Sequence, residues 1–498
     1  MRRPFEAVDY GALMRAHAPP PEYFEIDWLL APEAIEVRQL ERLRARARRA
    51  YQVPFFRRRW DAAGFHPDAI ASLDDLWHAP SYRVGDLRQS IDEHPPLGDY
   101  QGASLERAAE EPLRIFMSGA TTGAARPTLY TQWDREAGAI LMARALYLQG
   151  IRPGDVVVNA WAYSTHNGAF AFDEALHKWL GCVVLTTGTG NVTSSRRQVE
   201  LAHRYRATAI LTTGDYLLHL AEVAREMGLD PKKDFNLKAL PNIGDRTALE
   251  ETWGVPNYQS YGFHEVQWVS VECPARQGLH IFEDAFVVQI VDPETGARVP
   301  DGEPGSLCVT EIYKTGSPQF RYDIQDLSAL YPRERCACGS WLRRMAPFAG
   351  RADNMVKLRG VNVWPEAIGE IALTDPAFER DYFVRALRED NRDEMIVHVV
   401  TRAAPERHAA LRAAAEERLR ERLGVRISVA IAAPGELDTW TELHTAPKPK
   451  RFRDERQADR RSARSPDGRK AATQRGDAER SAGPGGSGEA NEDRTGGR

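Results

Sequence analysis

Three short apolar runs, separated by helical stretches, constrain the fold of this chain more than any other feature. The runs are 156–158, 183–185 and 209–211, and the intervening stretches 170–180 and 194–205 are predicted helices. Short strands that are apolar throughout are typical of a parallel sheet with both faces covered. The sequence therefore predicts an α/β fold, in which ligands bind at the carboxyl ends of the strands.

The chain of 498 residues is longer than one hydrophobic core usually supports, so we expect more than one domain. The predicted N-terminal domain covers residues 1–352 and combines parallel sheets with a β-rich part. Strand patterns at 395–401 and 426–432 flank a helical pattern at 406–423. These three elements predict a small, mobile α+β lid domain over residues 353–456.

Composition excludes several classes of partner. The net charge of -5 gives no overall attraction to nucleic acid or to an anionic membrane, and the arginine runs at 42–49 and 57–59 are interpreted as solvated faces. No apolar stretch is long enough to span a bilayer, and no signal-peptide core follows Met1, so we expect a cytoplasmic protein. Residues 457–498 lack Ile, Leu, Val, Met and aromatic residues, and they are predicted to be a disordered tail.

A loop rich in hydroxyl groups and glycine follows the apolar run 115–117. Its backbone N–H groups can cradle phosphate, because such loops after a strand present several donors to one anion. The spacing is not that of a P-loop, and an ordinary turn is the alternative interpretation. The candidate phosphate-binding residues are Ser118, Gly119, Thr121, Thr122 and Gly123.

Four further residues have the chemistry of a tetrahedral zinc site. Cys273 and His280 precede a strand-rich stretch, and Cys336 and Cys338 follow it. Thiolates with one imidazole suit structural zinc, and five cysteines in so long a chain do not make a disulfide framework. Buried thiols and a surface turn are the alternative interpretation.

A stretch of aromatic and polar residues directly follows the first parallel strand. Trp161, Tyr163, His166 and Phe170 would therefore lie at the carboxyl edge of the sheet, where ligands bind. Core packing is the alternative interpretation for these side chains.

The stretch 350–365 is predicted to join the two domains. Its Arg351 is a rigid cation with several donors, which suits phosphate, and Asp353 can stay solvated while its backbone angles change. An interdomain turn with surface charges is the alternative interpretation.

Five motifs in order along the chain resemble those of the acyl-adenylate-forming ligases, most closely the phenylacetate-CoA ligase family. The resemblance covers nearly all of residues 32–456, and the matching segments are 118–128, 261–265, 320–326, 350–365 and 445–451. The segment 238–245 departs from the family, because it lacks the Gly-Ala/Gly-Glu-Pro step that helps to hold adenine.

The resemblance implies which residues offset the negative charge of the ATP phosphates and the acyl carboxylate. The loop 118–123 would bind the phosphates of ATP, with Arg126 where the family usually has a lysine. Glu265 would bind Mg²⁺, a hard cation that prefers oxygen ligands. Lys448 would contact the acyl carboxylate and the α-phosphate. These residues would form the catalytic centre.

The resemblance also implies how the nucleotide and the acid are held. Tyr261 and Gly262 would lie at the adenine, and His264 would stand where the family has a hydroxyl residue. Asp326 would accept from the ribose hydroxyls, while Asp353 would be the hinge of the lid. The aromatic stretch after the first parallel strand would surround an aryl group.

The implied function is ATP-dependent activation of an aryl or arylacetic carboxylic acid to an acyl-adenylate, followed by transfer to coenzyme A. ATP, Mg²⁺ and coenzyme A are the expected cofactors, with structural Zn²⁺ in addition. The expected partners are small molecules, without nucleic acid or membrane, and the expected assembly is a homodimer. Transfer to an amine or a carrier-protein thiol is one alternative function. A catalytically weakened nucleotide- or acyl-binding homologue is another.

Overall fold

A computed structural model of the chain describes seven ranges of residues. They are 8–17, 30–118, 125–352, 356–358, 361–389, 392–442 and 449–456. Within these ranges, no helix combines the length and the apolar character that crossing a membrane requires.

The helices described in the large N-terminal part number nine. They are α1 Tyr10–His17, α2 Pro32–Ala50, α3 Pro54–Ala62, α4 Val84–Glu93, α5 Gln132–Leu148, α6 Gly168–Asp173, α7 Ser195–Arg204, α8 Gly214–Glu226 and α9 Arg246–Trp253. A π-helical turn at Glu174–Leu180 continues α6, and 3-10 turns lie at Pro67–Ala69, Leu73–His78 and Leu105–Arg107.

The strands of the same part form one parallel sheet and three antiparallel units. The strands are β1 Leu113–Met117, β2 Pro127–Thr131, β3 Val156–Asn159, β4 Val183–Thr186, β5 Ala209–Leu211, β6 Ser260–Phe263, β7 Gln267–Glu272, β8 Leu279–Ile281, β9 Phe286–Val291, β10 Gly305–Glu311, β11 Tyr322–Ser328 and β12 Arg344–Met345.

The predicted parallel sheet is confirmed, with the strand order β4-β3-β5. Val157 packs with α5 and α6 on one face, and Val158 packs with α7 to α9 on the other. Alternate residues of the central strand thus enter two different cores, which explains its unbroken apolar run. Strand β4 differs, because it is an edge strand and Val183 is 54% exposed.

The β-rich part consists of antiparallel sheets. Strands β1 and β2 form a hairpin, β6, β7, β8 and β12 form a sheet in the order β12-β8-β7-β6, and β9 to β11 form another. The side chains of β6 to β12 share one large core with α2 and α3. The sheet that contains β6 and β7 carries residues of both the candidate nucleotide site and the candidate zinc site.

The C-terminal part has a core of its own. Its elements are β13 Val356–Leu358, β14 Val361–Val363, α10 Pro365–Ala372, β15 Phe378–Glu389, β16 Arg392–Thr401, α11 Pro405–Leu423, β17 Ser428–Ala432, α12 Asp438–Thr441 and β18 Phe452–Asp454. A four-stranded sheet in the order β17-β16-β15-β18 packs against α10 and α11. The predicted strand–helix–strand pattern corresponds to β16, α11 and β17, so the α+β class of this part is confirmed.

Candidate active site

The hairpin β1–β2 positions the predicted phosphate loop. The N–H group of Ser118 donates to the carbonyl oxygen of Arg126 (3.0 Å), and the N–H group of Arg126 donates to Ser118 Oγ (3.0 Å). The two ends of the loop are therefore fixed to each other. The predicted ligands Gly119, Thr121, Thr122 and Gly123 lie outside the described residues.

Arg126 and Glu265 form a buried ion pair. Arg126 Nη2 lies 2.9 Å from Glu265 Oε1, and the two side chains are 14% and 5% exposed. Burial raises the pKa of Glu265, but the charge and hydrogen bond of Arg126 outweigh it, so the pKa lies below its ordinary value. The carboxylate is therefore charged at neutral pH, as a cation ligand must be.

His264 lies beside this pair. Burial lowers its pKa to about 4, so the imidazole is neutral at neutral pH. Its Nε2 atom is buried and has no hydrogen-bond partner among the described residues. A buried polar atom without a partner is costly, and a bound oxygen-rich ligand would satisfy it.

Asp326 joins two other predicted residues. Tyr261 Oη donates to Asp326 Oδ2 (2.8 Å), and Arg351 Nη1 donates to Asp326 Oδ1 (3.0 Å). Gly262 follows Tyr261 where a β-carbon would lie 2.0 Å from the carbonyl oxygen of Gln267, so glycine is required there. The structure thus brings together four of the residues that were predicted to bind the nucleotide.

Gln325 stands where the resembling family has glycine, and its backbone explains that preference. Its φ of 65° lies in the left-handed region, which glycine adopts without strain. This chain therefore keeps the turn next to Asp326 although it lacks the usual residue.

The segment that lacks the Gly-Glu-Pro step is built around Asn242. Its Oδ1 accepts from the N–H group of Thr212 (3.0 Å), and its Nδ2 donates to the carbonyl oxygen of Ile210 (2.9 Å). These bonds attach the segment to the carboxyl end of β5. Asp245 caps α9 through the N–H group of Ala248 (2.9 Å).

The four residues of the predicted acyl pocket fall into three groups. The ring of Phe170 contacts Tyr163 (5.3 Å) and Phe116 (5.9 Å), next to the phosphate loop. Trp161 instead stacks on Phe172 (5.8 Å). His166 lies 6.4 Å from the ring of His264. Phe170 and Tyr163 therefore lie near the start of the phosphate loop, and His166 lies near the Glu265 motif. Trp161 contacts a different part of α6.

The four predicted zinc ligands come together, although up to 65 positions separate them along the sequence. Their ligand atoms all lie within 4.8 Å of one another. Cys273 Sγ lies 3.8 Å from Cys336 Sγ, and Cys338 Sγ lies 3.5 Å from His280 Nε2. Nδ1 of His280 lies 3.3 Å from the carbonyl oxygen of Leu342, which leaves Nε2 for a metal.

Two residues near the candidate site were not identified from the sequence. Buried Lys314 donates to the carbonyl oxygen of Glu265 (2.6 Å), and Arg380 of β15 forms an ion pair with Asp245 in the N-terminal part. No short motif marks either contact, because both join distant segments. The predicted Lys448 and Asp353 lie outside the described residues.

Known proteins resemble this chain in sequence and in fold. A family model described as the AMP-binding enzyme C-terminal domain matches residues 360–456. The phenylacetate-coenzyme A ligase of Aromatoleum evansii is 32% identical over 421 residues, which are 81% of this chain and 91% of that protein.

Two solved structures of 2-hydroxyisobutyryl-CoA ligase, each 27% identical, cover 90% of this chain and are 96% covered by it. The postadenylation state in complex with R3-HIB-AMP superimposes with a TM-score of 0.77. The thioesterification state in complex with 2-HIB-AMP and CoA superimposes with 0.64.

Fold and site together define an AMP-forming ligase that joins an acid to a thiol. Within that class, the chain belongs to the phenylacetate-coenzyme A ligase family. The predicted family, fold class and enzyme class are confirmed.

Proposed function

We propose that this enzyme activates an aryl or arylacetic carboxylic acid with ATP and transfers the acyl group to coenzyme A. The observation that supports this most is the set of polar contacts at the candidate site. The buried Arg126–Glu265 ion pair offers charge to the phosphates and a cation, and Asp326 is held by Tyr261 and Arg351.

In the first step, a carboxylate oxygen of the acid attacks the α-phosphorus of ATP. The bond to pyrophosphate breaks, and acyl-adenylate forms. Arg126 offsets phosphate charge in this step, and Lys448 contacts the carboxylate and the α-phosphate. Electrostatic stabilisation of this kind usually dominates phosphoryl chemistry.

Glu265 would hold Mg²⁺, because its charged oxygens are the hard ligands that this cation prefers. When bound, the ion offsets negative charge on the phosphates. Asp326 would accept from the ribose hydroxyls, and Arg351 fixes the orientation of its carboxylate. His264 would donate from or accept at its unpartnered Nε2 towards the nucleotide.

In the second step, the thiol sulfur of coenzyme A attacks the acyl carbon, and the bond to AMP breaks. We propose that residues 353–456 rotate about Asp353 between the steps, withdrawing Lys448. The separate hydrophobic core of the C-terminal part supports this division into 1–352 and 353–456.

We propose a structural zinc ion bound by the four-residue group of Cys273, His280, Cys336 and Cys338. The donor set supports the assignment, because three sulfur atoms and one imidazole nitrogen make a complete tetrahedral shell. A complete shell leaves no open position for substrate, so the ion would stabilise the β-rich part.

Pyrophosphate release from Mg-ATP, measured across a panel of aryl, arylacetic and short acyl acids with and without coenzyme A, tests the proposed function. We expect one class of acids to raise the release and to yield its thioester. Release without a thioester would identify a different acceptor. No release with any acid, although ATP binds in calorimetry, would contradict an active ligase.

The ion pair between Arg380 and Asp245 predicts a conformational bias. Arg380→Gln is expected to change the ratio of the two half-reaction rates about twofold to fivefold, because the pair joins the two parts and the chain superimposes better on the postadenylation state than on the thioesterification state. An exposed pair contributes up to about 1 kcal/mol, and these side chains are 49% and 54% exposed. Rates of both half-reactions measure the effect.

The control for Arg380→Gln is Arg402→Gln, which removes an ion pair with Glu379 inside the C-terminal part. It should leave both rates unchanged. Equal effects of the two variants on the rates would show that the contact between Arg380 and Asp245 does not favour one conformation.

A further inference from the structure

Lys314 is a buried lysine that the reaction scheme leaves without a role. It lies between β10 and β11 and is 1% exposed. Burial lowers its pKa, although the carboxylates of Asp134, Glu311 and Glu265 counteract this effect. Burying a charge is costly unless the charge is well paired, and an apolar side chain of similar length would fill the same space.

The ammonium group of Lys314 is aimed at the Glu265 motif. Nζ lies 2.6 Å from the carbonyl oxygen of Glu265 and 3.9 Å from the centre of the Tyr130 ring. The hydroxyl of Tyr130 donates to the carbonyl oxygen of His264 (2.8 Å). Two successive carbonyl groups of the motif thus each accept a hydrogen bond from a buried side chain.

Two buried carboxylates fix the segment from which Lys314 projects. Asp134 accepts from the N–H groups of Thr315 (2.6 Å) and Gly316 (2.8 Å). Glu311 accepts from the N–H group of Lys314 itself (2.6 Å). A β-carbon at Gly316 would lie 2.8 Å from the carbonyl oxygen of Leu129, so the segment packs directly on β2.

The hydrogen bond from Lys314 connects the rigid segment 314–316 to the peptide group of Glu265. With its carbonyl held by Lys314 and its carboxylate held by Arg126, Glu265 is restrained at both ends. A ligand that is oriented in advance loses less entropy when it binds a cation. Outer-sphere partners that orient a metal ligand typically change metal affinity or activity by about 10-fold to 100-fold.

We propose that Lys314 is a positioning residue for acyl-adenylate formation, which fixes the Glu265 peptide so that its carboxylate faces Arg126 and Mg²⁺-bound ATP. The inference rests on the proposed function, because it concerns the Mg²⁺-dependent half-reaction. Coenzyme A transfer from a finished adenylate does not use that orientation.

The test replaces Lys314 by methionine, which keeps the length of the side chain and removes its charge. Lys314→Met is expected to slow acyl-adenylate formation about 10-fold to 100-fold and to raise the half-saturating Mg²⁺ concentration about tenfold. Thioester formation from supplied acyl-adenylate and coenzyme A should stay within about twofold of the parent. Calorimetry should show weaker ATP binding at low Mg²⁺ and recovery at high Mg²⁺.

Lys178→Met is the matched control, since Lys178 is a partly exposed lysine that pairs with Glu136. It should change neither half-reaction. Tyr130→Phe is the second variant, because it removes only the hydroxyl that holds the neighbouring carbonyl. It should raise the Mg²⁺ requirement in the same direction by a smaller factor.

Three results would overturn the inference. If Lys314→Met slows both half-reactions equally and Tyr130→Phe leaves both rates and the Mg²⁺ requirement unchanged, the role of Lys314 is purely structural. An unchanged Mg²⁺ requirement in both variants would show that Lys314 does not orient Glu265 for Mg²⁺ binding. If the parent enzyme releases no pyrophosphate with any acid, the proposed function fails. In that case ATP binding still tests the inference, and the same Mg²⁺ dependence of binding in parent and variant would contradict a positioning role for Lys314.

Discussion

Replacement of Glu265 by glutamine is expected to slow acyl-adenylate formation about 10³-fold. Glutamine keeps the shape of the side chain but removes the charge that would bind Mg²⁺, and single electrostatic groups at a reacting centre contribute effects of this size. Thioester formation from a supplied acyl-adenylate should continue, because it needs no new charge at the phosphates. Pyrophosphate release and thioester yield measure the two steps separately.

The same substitution has a cost in stability that must be distinguished from its effect on catalysis. Breaking a buried ion pair from one side typically costs about 3–5 kcal/mol, and Arg126 would lose its partner. Glu283→Gln is a matched control, because Glu283 is 5% exposed and pairs with Arg333 at 2.6 Å. Both variants should unfold more easily, but only Glu265→Gln should lose the first half-reaction selectively.

The sign of the pH effect follows from the lowered pKa of Glu265. A carboxyl group with a depressed folded-state pKa stabilises the protein above its unfolded-state pKa. That stabilisation is lost as the pH falls through the folded-state value. Glu265→Gln should therefore reduce the difference in stability between neutral and acidic pH.

Loss of the proposed zinc ion is the second large expected effect. Protein purified without added metal should contain about one zinc per chain, and Cys336→Ser should lose the ion. Structural zinc contributes directly to folding free energy, and each kcal/mol shifts the unfolding midpoint by about 2–4 °C in domains of 150–250 residues. Because the shift per kcal/mol is smaller in a larger domain, we expect a drop of about 10 °C. Elemental analysis and thermal unfolding measure the two effects.

Cys182→Ser is the control for the zinc prediction, since Cys182 is buried outside the group and contacts the carbonyl oxygen of Arg152. This variant should keep its zinc. Purified protein without zinc would contradict the assignment, and so would Cys336→Ser protein that retains the ion.

Much of the candidate nucleotide site could be described from the sequence, because each residue lies in a short motif. Tyr261, Asp326 and Arg351 are in contact although 25 or more positions separate Asp326 from each of the others. The arrangement of the candidate acyl pocket was less predictable. Phe170 and Phe172 belong to one helix but enter different clusters, and a sequence does not show which way such a short helix faces.

The missed contacts share a physical cause. Lys314 binds a backbone carbonyl 49 positions away, and any residue type offers such an acceptor. The long strand β15 mixes charged and apolar residues without regular alternation, so no period of two marks it as a strand in the sequence. The partner of Arg380 lies in the other part of the molecule, where no sequence spacing relates the two.

The sheet β12-β8-β7-β6 has a practical consequence for any assay of this enzyme. His280 lies on β8, and Tyr261 and Gly262 lie on β6, with only β7 between the two strands. A strong chelator such as EDTA, added to a buffer to set free Mg²⁺, would also withdraw the proposed zinc ion from the opposite side of β7. The resulting loss of activity would imitate a Mg²⁺ requirement, so titrations should use metal-free buffers without chelator.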